Sequence, residues 1–301
     1  MQIISEAIER LRASCPCDFN RPPRTLLELP YWAGTEYRRS LLYEGVVVYR
    51  DTLNVNVYKH FLLLHSAMYI LCSPVHYLAK SELADQLLRV FISHSIEIYG
   101  AKFVVYNVHC LCHLAAECAL QGTADSIISF CFENKLGAIK ESLMSGYKPL
   151  IQAANRDLER MVTEVNLEGN VNEVTLARPH HVDGEIIEGL HYKYLRVNDV
   201  EFKLNRKDSC FKTKHGEVVV LANIVRSEHD GIHLVGYSFQ NSGNLYEYPF
   251  PSSEIGIVSV SDLAEDRRAY ALHEIESKCW LMPDGDQYAC FPLVHSSTSL
   301  L

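Results

Sequence analysis

The chain lacks the features that mark a membrane-spanning or secreted protein. Its longest apolar run, residues 61–72, is interrupted by His65 and is shorter than the about 20 residues that span a bilayer. Residues 1–6 carry an acid early and do not form a signal peptide. The ten cysteines are scattered, without the spacing of a small disulfide scaffold. We therefore expect an intracellular protein, nuclear or cytoplasmic, with reduced or metal-bound thiols and no membrane partner.

The chain also has no excess of positive charge, which argues against a protein that binds nucleic acid strongly. The chain has 28 Lys and Arg against 37 Asp and Glu, a net charge of −9. Residues 1–165 hold 16 basic against 17 acidic side chains, and residues 166–301 hold 12 against 20. Because affinity for DNA comes largely from basic residues that neutralise phosphates, any contact with DNA is expected in the first half and to be weak.

Two catalytic motifs are absent as well. No glycine-rich loop of the kind that cradles phosphates occurs in the chain. Cys110 follows His109 at the position where a zinc hydrolase places its general base, a glutamate. The sequence therefore argues against a phosphate-loop enzyme and against a zinc-dependent hydrolase.

The hydrophobic pattern divides the chain into two parts, as its length of 301 residues suggests. Residues 1–165 show helical periodicity, residues 166–190 form a polar connector, and residues 191–301 show short apolar runs broken by turns. The pattern predicts an α+β protein, with an irregular all-helical N-terminal half and a small, mostly-β, barrel-like C-terminal domain. The clearest predicted elements are helices over 55–71, 81–99 and 107–121 and strands over 217–225 and 232–239.

His109 and His113 form the most informative pair of the sequence. At positions i and i+4 they project from one face of a helix, where two imidazoles can hold one Zn²⁺ ion. The alternative is that they line a helix interface and bind backbone carbonyls. A structural zinc site needs two more ligands, and Cys15 and Cys17 are one candidate pair. Their spacing of one residue is unusual for zinc, so two ordinary reduced thiols are the alternative.

Glu133 and a set of lysines follow the histidine pair. Glu133 stands at the start of a predicted helix, where a carboxylate is also favoured for structural reasons. Phosphoryl transfer by two metal ions needs several converging carboxylates, so Glu133 alone cannot support it. Lys135, Lys140 and Lys148 could follow a phosphate backbone, but interspersed acids such as Glu141 also fit a solvated helix face.

Three blocks of sequence carry a family resemblance that covers about residues 18–160. The blocks are 19–28 with 31–43, 58–64, and 99–134, the last with His109, His113, Gly122 and Glu133 in place. In these blocks the chain resembles the C-terminal portion of CACTA (EnSpm-like) transposases of arthropods and other animals. The second half matches the same proteins more loosely, through residues 251–253, 278–279 and 292–295.

The resemblance implies an RNase H-like core with three acidic residues and a helical insertion before the third acid. It makes His109 and His113 the paired zinc ligands and Glu133 the third catalytic acid. The two core aspartates have no counterpart here and are expected upstream of Met1, as is the family's own cysteine pair. Cys131 replaces a usual proline, and Ala115 stands where the family has an acid.

The function implied is that of a transposable-element-derived protein, a truncated DDE-type transposase remnant. We expect it to be catalytically inactive alone, with Mg²⁺ relevant only if an active site is completed, and to bind DNA or protein, itself included, or a fuller transposase. Without the core strands, apolar surface is expected to be exposed at Phe130, Phe132 and residues 103–105. One alternative is a chromatin or peptide reader that uses the tyrosine-rich, acidic second half. The other is a transposase that becomes active with upstream residues or a partner chain.

Overall fold

The computed structural model describes residues 2–127, 139–140, 143, 148–165 and 174–294. Glu133, Lys135, Phe130 and Phe132, which the sequence analysis singled out, lie outside these described residues. Within them the protein is α+β, with a helical N-terminal half followed by a β-barrel region. The predicted fold class is confirmed at this level.

Helices account for most of the described N-terminal half. They are α1 (Gln2–Leu11), α2 (Gly34–Arg39), α3 (Gly45–Val48), α4 (Val55–Cys72), α5 (Ser81–Tyr99), α6 (Tyr106–His109), α7 (Leu111–Gln121), α8 (Ala124–Ile127) and α9 (Pro149–Val165). A π-helical turn, Ser40–Glu44, joins α2 to α3. The two long helices predicted from the sequence are confirmed as α4 and α5. Among the described residues, no helix combines the length and apolar character needed to cross a membrane.

Helix α4 is apolar on nearly all sides and lies at the centre of the helical half. It begins after Asn54, whose side chain accepts a hydrogen bond from the backbone N–H of Asn56 at 2.9 Å. A helix of this composition must be covered all round, and α5 packs along it. Its buried His65 donates from Nδ1 to the carbonyl oxygen of Leu41 at 2.9 Å. Because burial lowers the pKa of His65 to about 4, this histidine is a neutral part of the core.

The β region is an antiparallel sheet that closes on itself. Its strands are β1 (Val174–His180), β2 (Leu190–Val197), β3 (Val200–Lys203), β4 (Cys210–Thr213), β5 (Val218–Ser227), β6 (Gly231–Asn244), β7 (Val258–Leu263), β8 (Arg268–Ala271), β9 (Ile275–Asp284) and β10 (Gln287–Pro292). The order β5-β4-β9-β10-β7-β6 forms a ring because β6 also pairs with β5. Closure satisfies strand edges that would otherwise stay unpaired.

Hairpin β5–β6 is the part of the barrel that the alternation of apolar residues predicted. Its turn ends at Gly231, whose φ of +79° suits glycine. Strand β1, in contrast, lies inside residues 166–190, which were expected to form a connector between two domains. It pairs with β2 from Val174↔Val197 to His180↔His191, and its side chains are exposed or half-buried. A polar edge strand of this kind has little apolar alternation, so its sequence is easily taken for a loop.

The helices and the barrel share one hydrophobic core, which includes residues of α1, α4, α5, β9 and β10. Trp280 of β9 and Phe291 of β10 lie with their ring centroids 6.1 and 6.2 Å from that of Tyr43. The Tyr69 hydroxyl donates to the carbonyl oxygen of Pro292 at 2.8 Å. Trp280 Nε1 donates to Ser14 Oγ at 3.2 Å. Strands β9 and β10 therefore cover apolar surface of the helical half.

A buried lysine also joins the two halves. Lys278 of β9 is 1% exposed, and its ammonium group lies 2.5 Å from an oxygen of Asp18 and 2.8 Å from one of Asp208. Asp208 also accepts a hydrogen bond from the backbone N–H of Cys17 at 2.9 Å. Burial works against the charge of Lys278, but the two carboxylates outweigh it and raise its pKa. Burial raises the pKa of Asp208, but Lys278 and the hydrogen bonds from Cys17 together outweigh burial and lower it.

Replacing Trp280 by Ala should lower the free energy of unfolding by about 3–5 kcal/mol, because the indole is fully buried. Since the core is shared, hydrogen exchange should accelerate in both α4 and β9. Leu120→Ala is the control, and at 83% exposure it should change stability by less than about 0.5 kcal/mol. Faster exchange in β9 with no change in α4 would contradict a shared core.

Asp208→Asn should lower the free energy of unfolding by about 3–5 kcal/mol near neutral pH, because Lys278 loses one of two carboxylates in a buried site. The folded-state pKa of Asp208 is depressed, so its contribution is complete above its unfolded pKa of about 3.9 and is lost as the pH falls further.

The difference in stability between wild type and Asp208→Asn should therefore narrow under acid conditions. Urea unfolding across the acid range measures this difference. Asp199→Asn, whose side chain is 85% exposed, serves as the control and should behave like the wild type. A difference that stays constant down to acid unfolding would count against the ion pair as its source.

Candidate metal centre at α6 and α7

The predicted histidine helix is formed by α6 and α7, which meet at Cys110. This residue keeps helical backbone angles, with φ −60° and ψ −19°. The N–H of Cys110 donates to the carbonyl oxygen of Tyr106 at 2.9 Å, and the N–H of His113 donates to that of Cys110 at 3.1 Å. The second bond spans three residues, so the turn between the histidines is tightened. The helix ends at Gly122, whose φ of +110° few other residues adopt.

The tightened turn brings three ligand-bearing side chains together. One ligand atom each of His109, Cys112 and His113 lies within 4.8 Å of the other two. The two imidazole rings are 5.6 Å apart between centroids and inclined by 79°. Both histidines are exposed and Cys112 is half-buried. The sequence prediction that His109 and His113 share a face thus agrees with the geometry.

Cys112 is a third ligand-bearing residue that the sequence analysis did not single out. It stands three residues after His109, a spacing that places two side chains on the same helix face. That relation could have been read from the sequence. Its backbone is held by α5, where Arg89 donates to the Cys112 carbonyl oxygen at 3.5 Å and pairs with Asp85 at 2.7 Å.

Two imidazoles and one thiolate are a donor set that suits zinc. Zinc takes four ligands in a tetrahedron, and sites with three protein ligands leave the fourth position to water or another group. Because the histidines are exposed, an ion at His109, Cys112 and His113 would exchange readily with solvent. The residues present therefore fit the ion that the family resemblance implies, with an open fourth position.

Cys15 and Cys17 do not join this group, so the pairing considered from the sequence is wrong. Cys15 is buried in the shared core, and burial raises the pKa of its thiol to about 12. Cys17 lies against the barrel, with Lys203 Nζ 3.3 Å from its Sγ, and burial raises its pKa to about 11. The loop that carries both cysteines packs beside Lys278, which the sequence could not indicate.

Cys17, Asp18 and Asp208 form a second group whose ligand atoms lie within 4.8 Å of one another. The ammonium group of Lys278 is hydrogen-bonded to both of its carboxylates. A cation is therefore already in place, and the group acts as a structural ion pair.

The remaining predicted site residues are only partly described. Lys140 and Lys148 are exposed, and Lys148 precedes α9 with a φ of +47°. On α9, Arg156 pairs with Glu159 at 2.7 Å, so part of the basic charge of this region is neutralised locally. Glu133 and Lys135 lie outside the described residues, as noted above.

Two further features of the β region had no counterpart in the sequence analysis. Cys210, Cys279 and Cys290 are buried, and their sulfur atoms lie within 4.8 Å of one another. They are distant in sequence, so no spacing pattern connects them. An open cleft of about 600 Å³ also lies at one end of the sheet, lined in part by Tyr192, Arg226, Asp230 and His273.

Comparison with known proteins bears only on the barrel. A family model described as a domain of unknown function (DUF8592) matches residues 180–293. This range runs from the end of β1 to just past β10 and leaves out the helical half. No curated protein and no solved structure matches the chain.

Proposed function

We propose that this chain is a transposase-derived protein that does not cut or join DNA by itself and acts by binding DNA or a partner protein. The proposal rests on the resemblance to CACTA transposases over residues 18–160. On this proposal, the helices that carry His109 and His113 derive from the helical insertion of an RNase H-like core. The DUF8592 match, over residues 180–293, does not overlap this region and leaves the proposal open to test.

The grouping of His109, Cys112 and His113 is the observation that carries the proposal. The resemblance makes the two histidines zinc ligands, and their ligand atoms lie close enough to share one ion. Cys112 adds a third donor from α7, the helix that also carries His113. Such a local site can outlast the loss of catalysis, because it needs no residue outside α6 and α7.

The acidic residues support an inactive protein. Two-metal phosphoryl transfer needs several carboxylates that hold ions about 4 Å apart. The resemblance supplies Glu133 as the third acid, and no aspartate within the matching blocks corresponds to the first two. Cleavage would therefore require acids from upstream residues or from a partner chain, together with Mg²⁺.

Exposed apolar side chains beside the histidines support a role in binding a partner. Phe103 is 39% exposed, Val105 55% and Tyr106 80%. They lie just before His109 in the chain, so a partner on this surface would also be near the metal site. A second copy of the chain or a fuller transposase would satisfy the proposal.

A peptide reader is the second candidate, and the cleft of the β region is the observation that favours it. Tyr192 offers an aromatic ring and Asp230 a carboxylate to a basic peptide. The net charge of −8 over residues 166–301 points in the same direction. Arg226 and His273 line the same cleft, and a basic side chain there suits a basic peptide poorly. We therefore place this candidate second.

Purified protein should contain zinc that is lost in a His109→Ala/His113→Ala variant, because each substitution removes one of three ligands. Metal analysis of dialysed protein gives the stoichiometry, and Cys112→Ser should weaken retention. His215→Ala/His229→Ala removes two exposed histidines outside the group and serves as the matched control. Equal zinc in the wild type and in the His109→Ala/His113→Ala variant would refute the site.

Supercoiled plasmid incubated with the protein and Mg²⁺ or Mn²⁺ should remain intact, since only one of three catalytic acids is supplied. Agarose gels that resolve nicked and linear DNA provide the measurement. Glu133→Ala is the decisive comparison. Cleavage by the wild type that disappears in Glu133→Ala would overturn the proposal in favour of an active enzyme.

A further inference from the structure

Three strands of the barrel bring a set of cysteines to one point. Cys210 lies on β4, Cys279 on β9 and Cys290 on β10, which are adjacent in the ring. Their exposures are 3%, 0% and 0%, and their sulfur atoms lie within 4.8 Å of one another. Unlike the histidine site, this group is closed to solvent.

The strand register explains why the three thiols meet. Phe211 pairs with Lys278, which in an antiparallel pair sets Cys210 opposite Cys279. Cys290 pairs with Leu281, two residues from Cys279 and therefore on the same face of the sheet. Residues between them alternate to the other face, where Trp280 and Phe291 join the core shared with the helices.

The side chains packed around the three thiols are apolar, and several of them are small valines. Val218, Val258 and Val260 complete the cluster, with Leu281 packed against it. The hydroxyl and the backbone carbonyl oxygen of Ser277 each lie 3.9 Å from Cys279 Sγ. Such a cavity excludes hard, strongly hydrated cations, because these need oxygen ligands and retain water.

The electrostatics of the group also suit a cation held by thiolates. Burial raises the pKa of Cys279, but hydrogen bonds from Cys210 and Cys290 and the charge of Lys212 outweigh it, so its pKa falls well below the ordinary value. The hydrogen bond with Cys279 raises the pKa of Cys210, and hydrogen bonds with Cys210 and Cys279 raise the pKa of Cys290. A metal ion bound by the three sulfur atoms would take the place of their protons.

We propose that Cys210, Cys279 and Cys290 bind one soft, closed-shell metal ion, Cu⁺ or Zn²⁺. Soft thiolate ligands select these ions over Mg²⁺ and Ca²⁺. Binding forms the sulfur–metal bonds and releases the thiol protons to solvent, with no change in oxidation state. Within the described residues no fourth ligand joins the group. Three sulfur ligands suit Cu⁺, whereas Zn²⁺ takes a fourth ligand. The charge balance favours Zn²⁺, because its two positive charges and that of Lys212 together match three thiolates.

Because the site is enclosed by strands, the ion must enter while the barrel is open. Metal binding is then coupled to folding, and a chelator should remove the ion slowly from the native protein. The exposed site at His109, Cys112 and His113 should lose its ion quickly under the same treatment. The two sites can thus be distinguished in one protein, and this inference stands whether or not the proposed function holds.

The test is refolding of the full chain in a His109→Ala/His113→Ala background. Protein unfolded in urea with reductant and chelator is refolded with Zn²⁺, with Cu⁺ under reductant, or without metal, and then passed over chelating resin. We expect one ion per chain to be retained in one metal arm, with ultraviolet absorption typical of a metal–thiolate bond. The arm that retains its ion identifies the metal.

Cys279→Ala/Cys290→Ala should retain none, while Cys118→Ala, a buried cysteine outside the group, should retain as much as its parent. If the double variant fails to fold, the parent protein still decides the matter. A folded parent that keeps no chelator-resistant ion in either arm overturns the proposal. Equal retention in parent and double variant overturns it as well.

Discussion

The arrangement of the two halves depends on the ion pairs that the buried Lys278 ammonium group forms with Asp18 and Asp208. The ammonium group is held by Asp18 from the loop after α1 and by Asp208 from the segment before β4. A lone charge at 1% exposure would be strongly destabilising, so the loop must stay docked on the barrel wherever Lys278 is charged. The same loop carries Cys15 and Cys17, which is why neither cysteine is available to the histidines. One ion pair thereby determines where the N-terminal segment lies and which metal ligands remain.

Strands β9 and β10 extend this constraint into packing. Their side chains alternate between two faces, so Trp280, Met282 and Phe291 join the helices while Cys279, Leu281 and Cys290 face a smaller core. The aromatic face makes the helical and β halves one cooperative core. The cysteine face follows from it, because a register that buries Trp280 against Tyr43 also sets Cys279 opposite Cys210. A slip of one residue would exchange both faces and destroy both sets of contacts.

The parts of this fold that could be predicted are those whose signal is local. Helices α4 and α5 and hairpin β5–β6 carry their periodicity within one stretch, and the i, i+4 relation of His109 and His113 needs only α6 and α7. The i, i+3 relation of Cys112 to His109 is equally local, although the sequence analysis did not single it out. Lys278 and the three cysteines could not be predicted, since their partners are joined by strand register. Strand β1 was not predicted, because a polar edge strand shows little alternation of apolar and polar residues.

The contrast between local and distant sites has a consequence for how function can be lost or gained. The histidine group stands on the adjoining helices α6 and α7, so it can persist when the rest of a catalytic core is missing. A three-acid site cannot, because its acids come from separate parts of the chain and fail together when one is absent. The cysteine group belongs to the second kind, since it exists only when β4, β9 and β10 are in register. An ion bound there would therefore stabilise the closed barrel and, through the shared core, the surface that presents His109 and His113.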